Sequence, residues 1–501
     1  MTLDKLMEGI DYEIICSDNP STLSTSSTLA ISSITIDSRK VEEKGLFICL
    51  RGLDVDGHQY INDAYKKGAA AVIIDRDQQS YPEGLVVWKV QNTRRSLSAI
   101  AANFYGQPAK NLRLFGVTGT NGKTSVTYIM ESILRQVGKA ALIGTVGLRL
   151  DDKIVDIPFS TSTTPDPQEL HQIFGYIVKN QGRDVIMEVS SHALALHKME
   201  GLFFEVAMFT NLTQDHLDFH GTMENYLAAK AMLFGQCRYG VVNIDDKYSP
   251  KIMTIGNPEK WITYGIDNEC DIRALHIKDK AEGAVFDIKI TGTVIKNFYL
   301  PAKGRFNIYN ALAAIGAALA VGISMEEIQK GITSFTGVPG RIQSVSNDRG
   351  FHVLVDYAHS PDGLVNIINA VRDFTDGRVI TIFGCGGDRD VKKRPIMGRI
   401  GGELSDHCIL TSDNPRSEAP EEIIRHIEEG IKETNCPYDS FVDRREAIFH
   451  GITMLQPGDA LIIAGKGHED YQIIGNQTLH FDDVEVAKEA LVKDGHENRR
   501  S

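Results

Sequence analysis

Residues 112–125 read LRLFGVTGTNGKTS, an apolar run that passes directly into a glycine-rich loop and then into a helical pattern. The run has the composition of a buried β-strand. Glycines let backbone N–H groups approach phosphate oxygens, Lys123 supplies a cation, and Thr124 can bind Mg²⁺ at the start of a helix whose dipole favours anions. The stretch therefore predicts a nucleotide-binding loop rather than a plain glycine turn, although Val117 stands where the strict pattern has glycine. The loop comprises Gly119, Thr120, Asn121, Gly122, Lys123, Thr124 and Ser125.

Further apolar runs alternate with helical patterns along the chain. They are residues 184–190, 206–212, 352–358, 378–384, 407–413 and 460–467. Continuous Val/Ile/Leu runs of this kind predict an α/β fold with parallel sheets covered on both faces. Polar clusters (SSH, TQDH, GGDRD, SDNPR, GKGHE) follow these runs, and ligands of open α/β sheets bind beyond the carboxyl ends of the strands. We therefore expect the clusters to line binding sites.

The length of the chain and two breaks that contain proline or glycine predict three domains. The chain has 501 residues, and domains hold roughly 100–200 residues each. Pro108 with its polar neighbours and the GVPG sequence at 337–340 mark the two breaks. The predicted domains are residues 1–109, 110–337 and 338–501.

Composition narrows the class of protein. The 53 basic and 66 acidic residues give a net charge of −13, which argues against a nucleic-acid partner. Seven cysteines without a CxxC pair favour a reducing, cytoplasmic setting, and the first residues lack the pattern of a signal peptide. The longest apolar stretch, residues 311–323, is shorter than the roughly 20 residues that cross a bilayer. We expect it to form a buried helix, and we expect no membrane association.

The segment 221–234 (GTMENYLAAKAMLF) predicts a helix capped by Thr222. Lys230 falls on its apolar face with Met223, Leu227 and Phe234. Burial there would lower the pKa of the lysine, and a partly neutral amine can add CO₂ to give a carbamate suited to Mg²⁺. From the helix alone, a lysine that snorkels to the surface is the better interpretation. Glu188 and His216, each predicted to end a parallel strand, shift the balance towards a metal site shared with Thr124.

Taken together, these segments resemble the Mur ligase family. The matching pieces run in family order: GTNGKTS, MEVSSHAL, FTNLTQDHLD, YLAAKAMLF, GRFNIYN, PGR, VDYAHSPD, FGCGGDRDVKKRP, SDNPRSE and GKGHEDYQ. The resemblance implies a small N-terminal α/β domain that holds the UDP moiety, a central phosphate-loop ATPase and a C-terminal Rossmann-like domain. It also implies that ATP converts a peptide carboxylate into an acyl phosphate, which an amine then attacks with release of phosphate.

The resemblance further implies roles for individual residues. Thr124 and Glu188 would bind one Mg²⁺, and Glu188, His216 and carboxylated Lys230 would bind another, with Lys123 on the triphosphate. Further ATP contacts would be Asn307, Arg341 and Asp356, the last to ribose. Contacts to the UDP-muramoyl dipeptide would be Ser38, Thr163, Thr164, Ser190 and Lys198. Leu196 departs from some relatives and is excluded, and Lys198 replaces an arginine, so it keeps the cation without the bidentate fork.

The DNPR segment at 413–416 is the family's amino-acid selector, although alone it is an ordinary turn. It favours meso-diaminopimelate over lysine, because Arg416 can bind the distal carboxylate that lysine lacks. The implied pocket is Arg389, Asp413, Asn414, Pro415, Arg416, Gly465 and Glu469. The substrates would thus be UDP-N-acetylmuramoyl-L-alanyl-D-glutamate, meso-diaminopimelate and ATP, bound by a chain that we expect to be monomeric.

Three alternatives remain at this point. They are a sister ligase that adds lysine or a dipeptide, a folylpolyglutamate synthetase, and a non-catalytic ATP-binding regulator.

Overall fold

The computed structural model describes residues 1–15, 29–52, 55–161, 163–280, 283–372 and 374–497. Three separate α/β regions follow one another along the chain, each built on its own sheet, and the predicted α/β class is confirmed. Each main sheet lies within one of the three predicted ranges. In the ranges just given, no helix combines the length and the apolar character needed to cross a membrane.

The first region has a five-stranded sheet in the order β1-β5-β4-β3-β2, parallel except for β1. Its strands are β1 (Tyr12–Ile15), β2 (Ile34–Thr35), β3 (Gly45–Ile48), β4 (Ala69–Ile74) and β5 (Val86–Val90). Its helices are Leu3–Leu6, Ile61–Lys66 and Thr93–Phe104. A short 3₁₀ helix, Ser38–Lys40, begins after Asp37, whose side chain accepts the N–H of Arg39.

The central region has an eleven-stranded sheet, ordered β16-β15-β14-β13-β12-β11-β6-β10-β7-β8-β9. The strands are β6 (Arg113–Thr118), β7 (Ala140–Gly144), β8 (Gly147–Leu150), β9 (Lys153–Val155), β10 (Asp184–Glu188), β11 (Phe204–Phe209), β12 (Cys237–Asn243), β13 (Lys260–Gly265), β14 (Ile272–Lys280), β15 (Gly283–Ile290) and β16 (Thr293–Leu300). The helices are Lys123–Leu134, Pro167–Lys179, Ser191–Ala195, Leu217–His220, Met223–Ala231, Ser249–Ile255, Arg305–Ala320 and Met325–Thr333.

Strand order places the glycine loop at a reversal point of this sheet. β6 pairs in parallel with β10 on one side and with β11 on the other. The chain therefore leaves β6 between two parallel neighbours, at the crevice where open α/β sheets bind ligands. Antiparallel hairpins extend the sheet at both edges, so it is not wholly parallel. The predicted buried helix over 311–323 overlaps the helix Arg305–Ala320, which packs against the sheet; it starts earlier than predicted and ends before residue 321.

The third region has a six-stranded sheet in the order β17-β18-β22-β19-β20-β21, parallel except for β17. Its strands are β17 (Gln343–Ser344), β18 (His352–Asp356), β19 (Val379–Phe383), β20 (His407–Thr411), β21 (Tyr438–Phe441) and β22 (Ala460–Ala464). A separate hairpin joins β23 (Tyr471–Ile474) to β24 (Gln477–His480). The helices are Pro361–Arg372, Lys393–Leu404, Pro420–Ile431, Arg444–Thr453 and Asp483–Glu497.

The chain passes from the central core to the third core within a few residues. Val338 packs with the central cluster, whereas Ile342 packs against the third. A buried ion pair ties the last helix to the third sheet, because Arg444 Nη2 lies 2.7 Å from Asp483 Oδ2 with neither side chain exposed. Arg444 also donates to the carbonyl of Ala464, at the end of β22.

Candidate active site

Two glycines shape the loop that follows β6. Gly122 has φ +84° and directly precedes the helix Lys123–Leu134, and a Cβ there would collide with the side chain of Asn310. At Gly119 a Cβ would collide with Thr210 Oγ1. Only glycine satisfies both constraints, since a positive φ and a close approach each exclude a side chain.

The neighbouring strand end holds the loop in place. Thr210 Oγ1 donates to the carbonyl of Asn121 at 2.6 Å, and Asn211 Oδ1 accepts the N–H of Asn121 at 2.9 Å. The N–H of Thr120 donates to the carbonyl of Asn211. Thr210 and Asn211 were absent from the predicted site. The sequence shows that these two polar residues come at the end of a predicted strand. It does not show which loop they contact.

Lys123 and Lys230 converge on one oxygen of this loop. Lys230 Nζ donates to the Gly119 carbonyl at 2.8 Å, and Lys123 Nζ donates to the same carbonyl at 3.0 Å. Lys230 is 1% exposed, so the surface-snorkelling interpretation of its helix is wrong. Burial, with the nearby Lys123 charge as a second cause, holds the pKa of Lys230 well below its usual range. Its amine is thus far easier to deprotonate than that of a surface lysine.

Tyr226, one turn before Lys230, connects this lysine to the loop. Its hydroxyl lies 3.2 Å from Thr120 Oγ1, and its ring centre lies 4.4 Å from Lys230 Nζ. Tyr226 is 1% exposed, and burial raises its pKa beyond the ordinary value for a phenol. The predicted cap of this helix is present, because Thr222 Oγ1 accepts the N–H of Asn225.

Glu188 is the last residue of β10 and is 1% exposed. Its carboxylate accepts the N–H of Thr145 at 2.9 Å and the Thr145 hydroxyl at 3.1 Å. Thr124, 5% exposed, is the second residue of the helix after the loop. One buried oxygen donor thus lies at the end of β10 and the other in the helix that follows the loop.

His216 lies seven residues beyond the end of β11, not at the strand end itself. Its side chain is 47% exposed, and its Nε2 is 3.3 Å from Asp215 Oδ2. His192 packs against it with ring centres 4.8 Å apart, and His220 donates or accepts a 2.9 Å hydrogen bond with Ser191 Oγ. Burial lowers the pKa of His192 to about 4, so this ring is neutral at physiological pH.

The remaining predicted ATP contacts lie where the central and third regions meet. Asn307 is 8% exposed, and its amide donates to the carbonyl of Lys303. The Arg341 guanidinium stacks over the ring of Tyr357 at 4.9 Å. Asp356 ends β18, and its carboxylate accepts the N–H groups of Ile342 and Ala358, both at 2.8 Å. Burial raises the pKa of Asp356 above its ordinary value.

Four of the five residues predicted for the nucleotide sugar surround the end of β10. Thr164 Oγ1 donates to the carbonyl of Glu188 and contacts Ser190 Oγ at 3.3 Å, while Ser190 caps the helix Ser191–Ala195. Thr163 Oγ1 lies 3.3 Å from Thr145 Oγ1. Lys198 forms an ion pair with Asp166 at 2.8 Å. The fifth residue, Ser38, sits apart in the first region, in the 3₁₀ helix after β2.

The DNPR segment follows β20, and the β23–β24 hairpin fixes its backbone. Arg416 has φ +51°, its N–H donates to the carbonyl of Ile473, and its own carbonyl accepts from Gly475. Gln472 Nε2 donates to the carbonyl of Asp413, and the N–H of Ile473 donates to Asn414 Oδ1. Arg416 Nη1 donates to the Gly387 carbonyl at 2.8 Å. Arg416 has no ion-pair partner within the described ranges.

Side chains from three loops meet beside this segment. Asn414 donates to Glu469 Oε2 at 3.0 Å, and Gly465 approaches Asp413 at the end of β22 with φ +122°. Burial, followed by the charge of Asp413, raises the pKa of Glu469. Pro415 is buried, whereas Arg389 is exposed and donates to the carbonyl of Asp388. The predicted pocket residues are therefore brought together, with Arg389 at the rim.

Lys466 lies at the centre of this group and was absent from the predicted site. It is fully buried and contacts Asn414, Asp413, Glu469 and the carbonyl of Tyr471. The GKGHE sequence shows that this lysine follows a predicted strand. That its side chain is buried could be learned only from the structure.

The chain thus joins three α/β regions, with a phosphate loop at the strand reversal of the central sheet. Three family models match: Mur ligase family, catalytic domain, at residues 30–105; Mur ligase middle domain at 117–318; and Mur ligase, glutamate ligase domain, at 340–467. The chain belongs to the Mur ligase family.

Individual relatives match over nearly the whole length. The UDP-N-acetylmuramoyl-L-alanyl-D-glutamate–2,6-diaminopimelate ligase of Caldanaerobacter subterraneus is 45% identical over 98% of this chain and 99% of its own. The enzyme of the same name from Clostridioides difficile is 43% identical over 98% of this chain and 100% of its own. A solved structure of a ligase with that name has 31% identity and a TM-score of 0.68, and covers 99% of both chains.

Proposed function

We propose that this chain is the ATP-dependent ligase that joins meso-diaminopimelate to the D-glutamate of UDP-N-acetylmuramoyl-L-alanyl-D-glutamate, a step of peptidoglycan precursor synthesis. The observation that carries the proposal is the DNPR segment: Arg416 forms no ion pair with any described residue and donates to the Gly387 carbonyl, and Asn414 of the same segment donates to Glu469. An amine and a carboxylate on one carbon match that arrangement of charges. Relatives named as diaminopimelate ligases, which match over nearly the whole length, support it.

The reaction that we propose has two steps. A carboxylate oxygen of D-glutamate attacks the γ-phosphorus of ATP, and the bond to ADP breaks. The amine of diaminopimelate then attacks the acyl carbon, phosphate leaves with the electrons of the C–O bond, and the ammonium proton passes to solvent. Lys123 and the N–H groups of residues 119–125 would hold the triphosphate, with Asn307, Arg341 and Asp356 as further ATP contacts. Positioning and charge neutralisation supply most of the catalysis in such transfers.

The described residues fit Mg²⁺ as the accompanying ion. Thr124 and Glu188 offer buried oxygen donors, which Mg²⁺ prefers, and it takes its remaining ligands from water and phosphate. Among the described residues, no three His, Cys, Asp or Glu side chains cluster in a way that would hold a metal ion. When bound, Mg²⁺ would neutralise charge that develops on the transferred phosphoryl group.

Lys230 fits a second ion only in another chemical form. As an ammonium it donates to the Gly119 carbonyl and cannot act as a ligand. We propose that its amine adds CO₂ and that the carbamate oxygens, with Glu188 and His216, complete the second ion's protein ligands. The lowered pKa of Lys230 supports this, because the neutral amine is the form that attacks CO₂.

We further propose domains at residues 1–109, 110–337 and 338–501 and a cytoplasmic, monomeric enzyme. The first domain would hold the UDP moiety through Ser38, and Thr163, Thr164, Ser190 and Lys198 would contact the rest of the nucleotide sugar. Free thiols at Cys49, Cys237, Cys270, Cys385, Cys408 and Cys436 support a reducing compartment. Light scattering on the purified protein would check the monomer.

The deciding experiment is an amino-acid panel. The purified chain is given ATP, Mg²⁺ and UDP-N-acetylmuramoyl-L-alanyl-D-glutamate with meso-diaminopimelate, LL-diaminopimelate or L-lysine in turn. We expect stoichiometric ADP release and a product heavier by one diaminopimelate less water in the meso reaction. A faster reaction with lysine would contradict the proposed specificity, and the absence of any ligation would contradict the proposed activity.

A further inference from the structure

Lys466 is a buried cation in contact with two carboxylates of the proposed amino-acid pocket. Its Nζ lies 3.5 Å from Asp413 Oδ1 and 3.9 Å from Glu469 Oε2. It also donates to Asn414 Oδ1 at 3.1 Å and to the carbonyl of Tyr471 at 2.7 Å. The side chain is 0% exposed, so Lys466 is closed off from solvent by the elements it joins.

These contacts link three segments that are distant in sequence. Lys466 follows β22, Asn414 follows β20, and Tyr471 begins the hairpin that fixes the backbone of Arg416. The Lys466 ammonium therefore fixes the distances between the DNPR segment, Glu469 and the β23–β24 hairpin. A buried charge in such a network is costly unless each partner is in place, which makes the arrangement rigid.

The charges of the cluster leave a place for a second cation. Asp413 and Glu469 carry two negative charges when both are ionised, and Lys466 supplies one positive charge. Asp413 Oδ1 makes no hydrogen bond with any residue that the structure describes. Apart from the Lys466 ammonium 3.5 Å away, this oxygen is therefore open to a hydrogen bond from a ligand. The charged or titratable side chains that also interact with this cluster are Arg444, Asp483, Tyr357, Tyr471, His359 and Cys385.

We infer that Lys466 is a positioning residue for amino-acid selection: together with Asn414, it holds Asp413 and Glu469 as an acceptor site for the ammonium beside the distal carboxylate of the amino acid. Lys466 does not touch the amino acid itself. Arg416 would bind the carboxylate while the acceptor site binds the ammonium, so the distal end of the ligand is read at two points. This inference rests on the proposed function.

The test removes the charge and measures each substrate separately. In Lys466→Met we expect the KM for meso-diaminopimelate to rise roughly tenfold or more, the effect of losing charge-assisted hydrogen bonds. The KM for ATP and for the UDP-muramoyl dipeptide should change by less than about twofold, since those substrates bind elsewhere. Arg378→Met is the matched control: it removes a cation of the same domain, paired with Asp459 at 2.7 Å, at the opposite, amino end of the sheet.

A pH profile separates positioning from a general structural role. In Lys466→Met no ammonium shields Glu469 from the negative charge of Asp413. The pKa of Glu469 should therefore rise, and its carboxylate should bind a proton at higher pH than in the wild type. The KM for diaminopimelate in Lys466→Met should therefore stay high up to a more alkaline pH than in the wild type. If Lys466→Met does not fold, Lys466→Gln takes its place, because the amide can still donate to Asn414 and Tyr471 while lacking the charge.

The outcomes are distinct. An unchanged diaminopimelate KM and pH profile in a folded charge-removing variant would overturn the inference and leave the proposed function intact. Equal losses for all three substrates with no shift of the profile would also overturn it, as a merely structural role predicts. A wild-type enzyme that fails to use diaminopimelate would overturn the proposed function instead.

Discussion

Lys123 and Lys230, more than a hundred residues apart in sequence, donate hydrogen bonds to the same carbonyl oxygen, that of Gly119. Two ammonium groups on one oxygen repel each other, and burial lowers the pKa of both lysines. An anionic triphosphate would relieve the repulsion for Lys123, and conversion to a carbamate would relieve it for Lys230. This pair of lysines is therefore electrostatically suited to both events.

Lys230→Ala should lower kcat/KM for ligation at least about 100-fold while leaving the fold intact, since a metal ion contributes several kcal/mol of charge stabilisation. Steady-state kinetics and circular dichroism check this. Lys330→Ala, which removes an exposed lysine paired with Glu326, is the control and should be silent. Intact-mass analysis of the native wild type should also show one added CO₂. A fully active Lys230→Ala enzyme would end the carbamate proposal.

Arg416→Ala should cost about 2–5 kcal/mol in transition-state binding of diaminopimelate, or roughly 30-fold to several thousand-fold in kcat/KM. The loss arises because the distal carboxylate is left without its bidentate partner. For lysine the change should be much smaller. Arg416→Lys should recover only part of the activity, because an ammonium lacks the planar fork. Equal losses for both amino acids would make Arg416 structural.

Binding of substrates should draw the third region towards the central one. The phosphate loop lies in the central region and the DNPR segment in the third, yet the acyl carbon and the amine must come within about 3–3.5 Å. We expect the radius of gyration from solution scattering to fall when a non-hydrolysable ATP analogue and the UDP-muramoyl dipeptide are added together. Each ligand alone serves as the control. An unchanged radius with both ligands would count against closure.

His171 should make the protein sensitive to acid. It is 2% exposed, neither ring nitrogen has a hydrogen-bond partner among the described residues, and burial lowers its pKa to about 4. Between that value and about 6.5 the unfolded chain binds the proton and the folded chain does not, so stability falls as pH falls. The loss should be about 1 kcal/mol at pH 5.5 and approach roughly 3 kcal/mol near pH 4.

Urea unfolding of wild type and His171→Leu at pH 7.5 and 5.5 measures that loss. We expect the difference between the two pH values to shrink in the variant, because leucine has no proton to gain. An identical pH dependence in both proteins would show that other groups govern acid sensitivity.

Local patterns were sufficient for the strands, the glycine loop and the helix that carries Lys230. β6, β10, β18, β19, β20 and β22 lie within the predicted runs, and β11 overlaps its run but begins two residues earlier, since buried parallel strands have a distinctive composition. The direction in which Lys230 points could not be predicted, because an apolar stripe suits both a snorkelling and a buried lysine. Contacts such as Thr210 with Asn121, or Lys466 with Asn414, depend on strand order, which no local pattern contains.

The hairpin Tyr471–His480 has a consequence for redesign. The hairpin lies more than fifty residues downstream in sequence, and it forms hydrogen bonds with the backbone of Arg416 and the side chain of Asn414. Replacing residues 413–416 with the corresponding segment of a lysine-adding enzyme would therefore change the side chains, while the same hairpin would still hold the backbone. A functional replacement would have to include residues 465–480 as well. Substrate choice therefore depends on two segments that are separate in sequence and must be exchanged together.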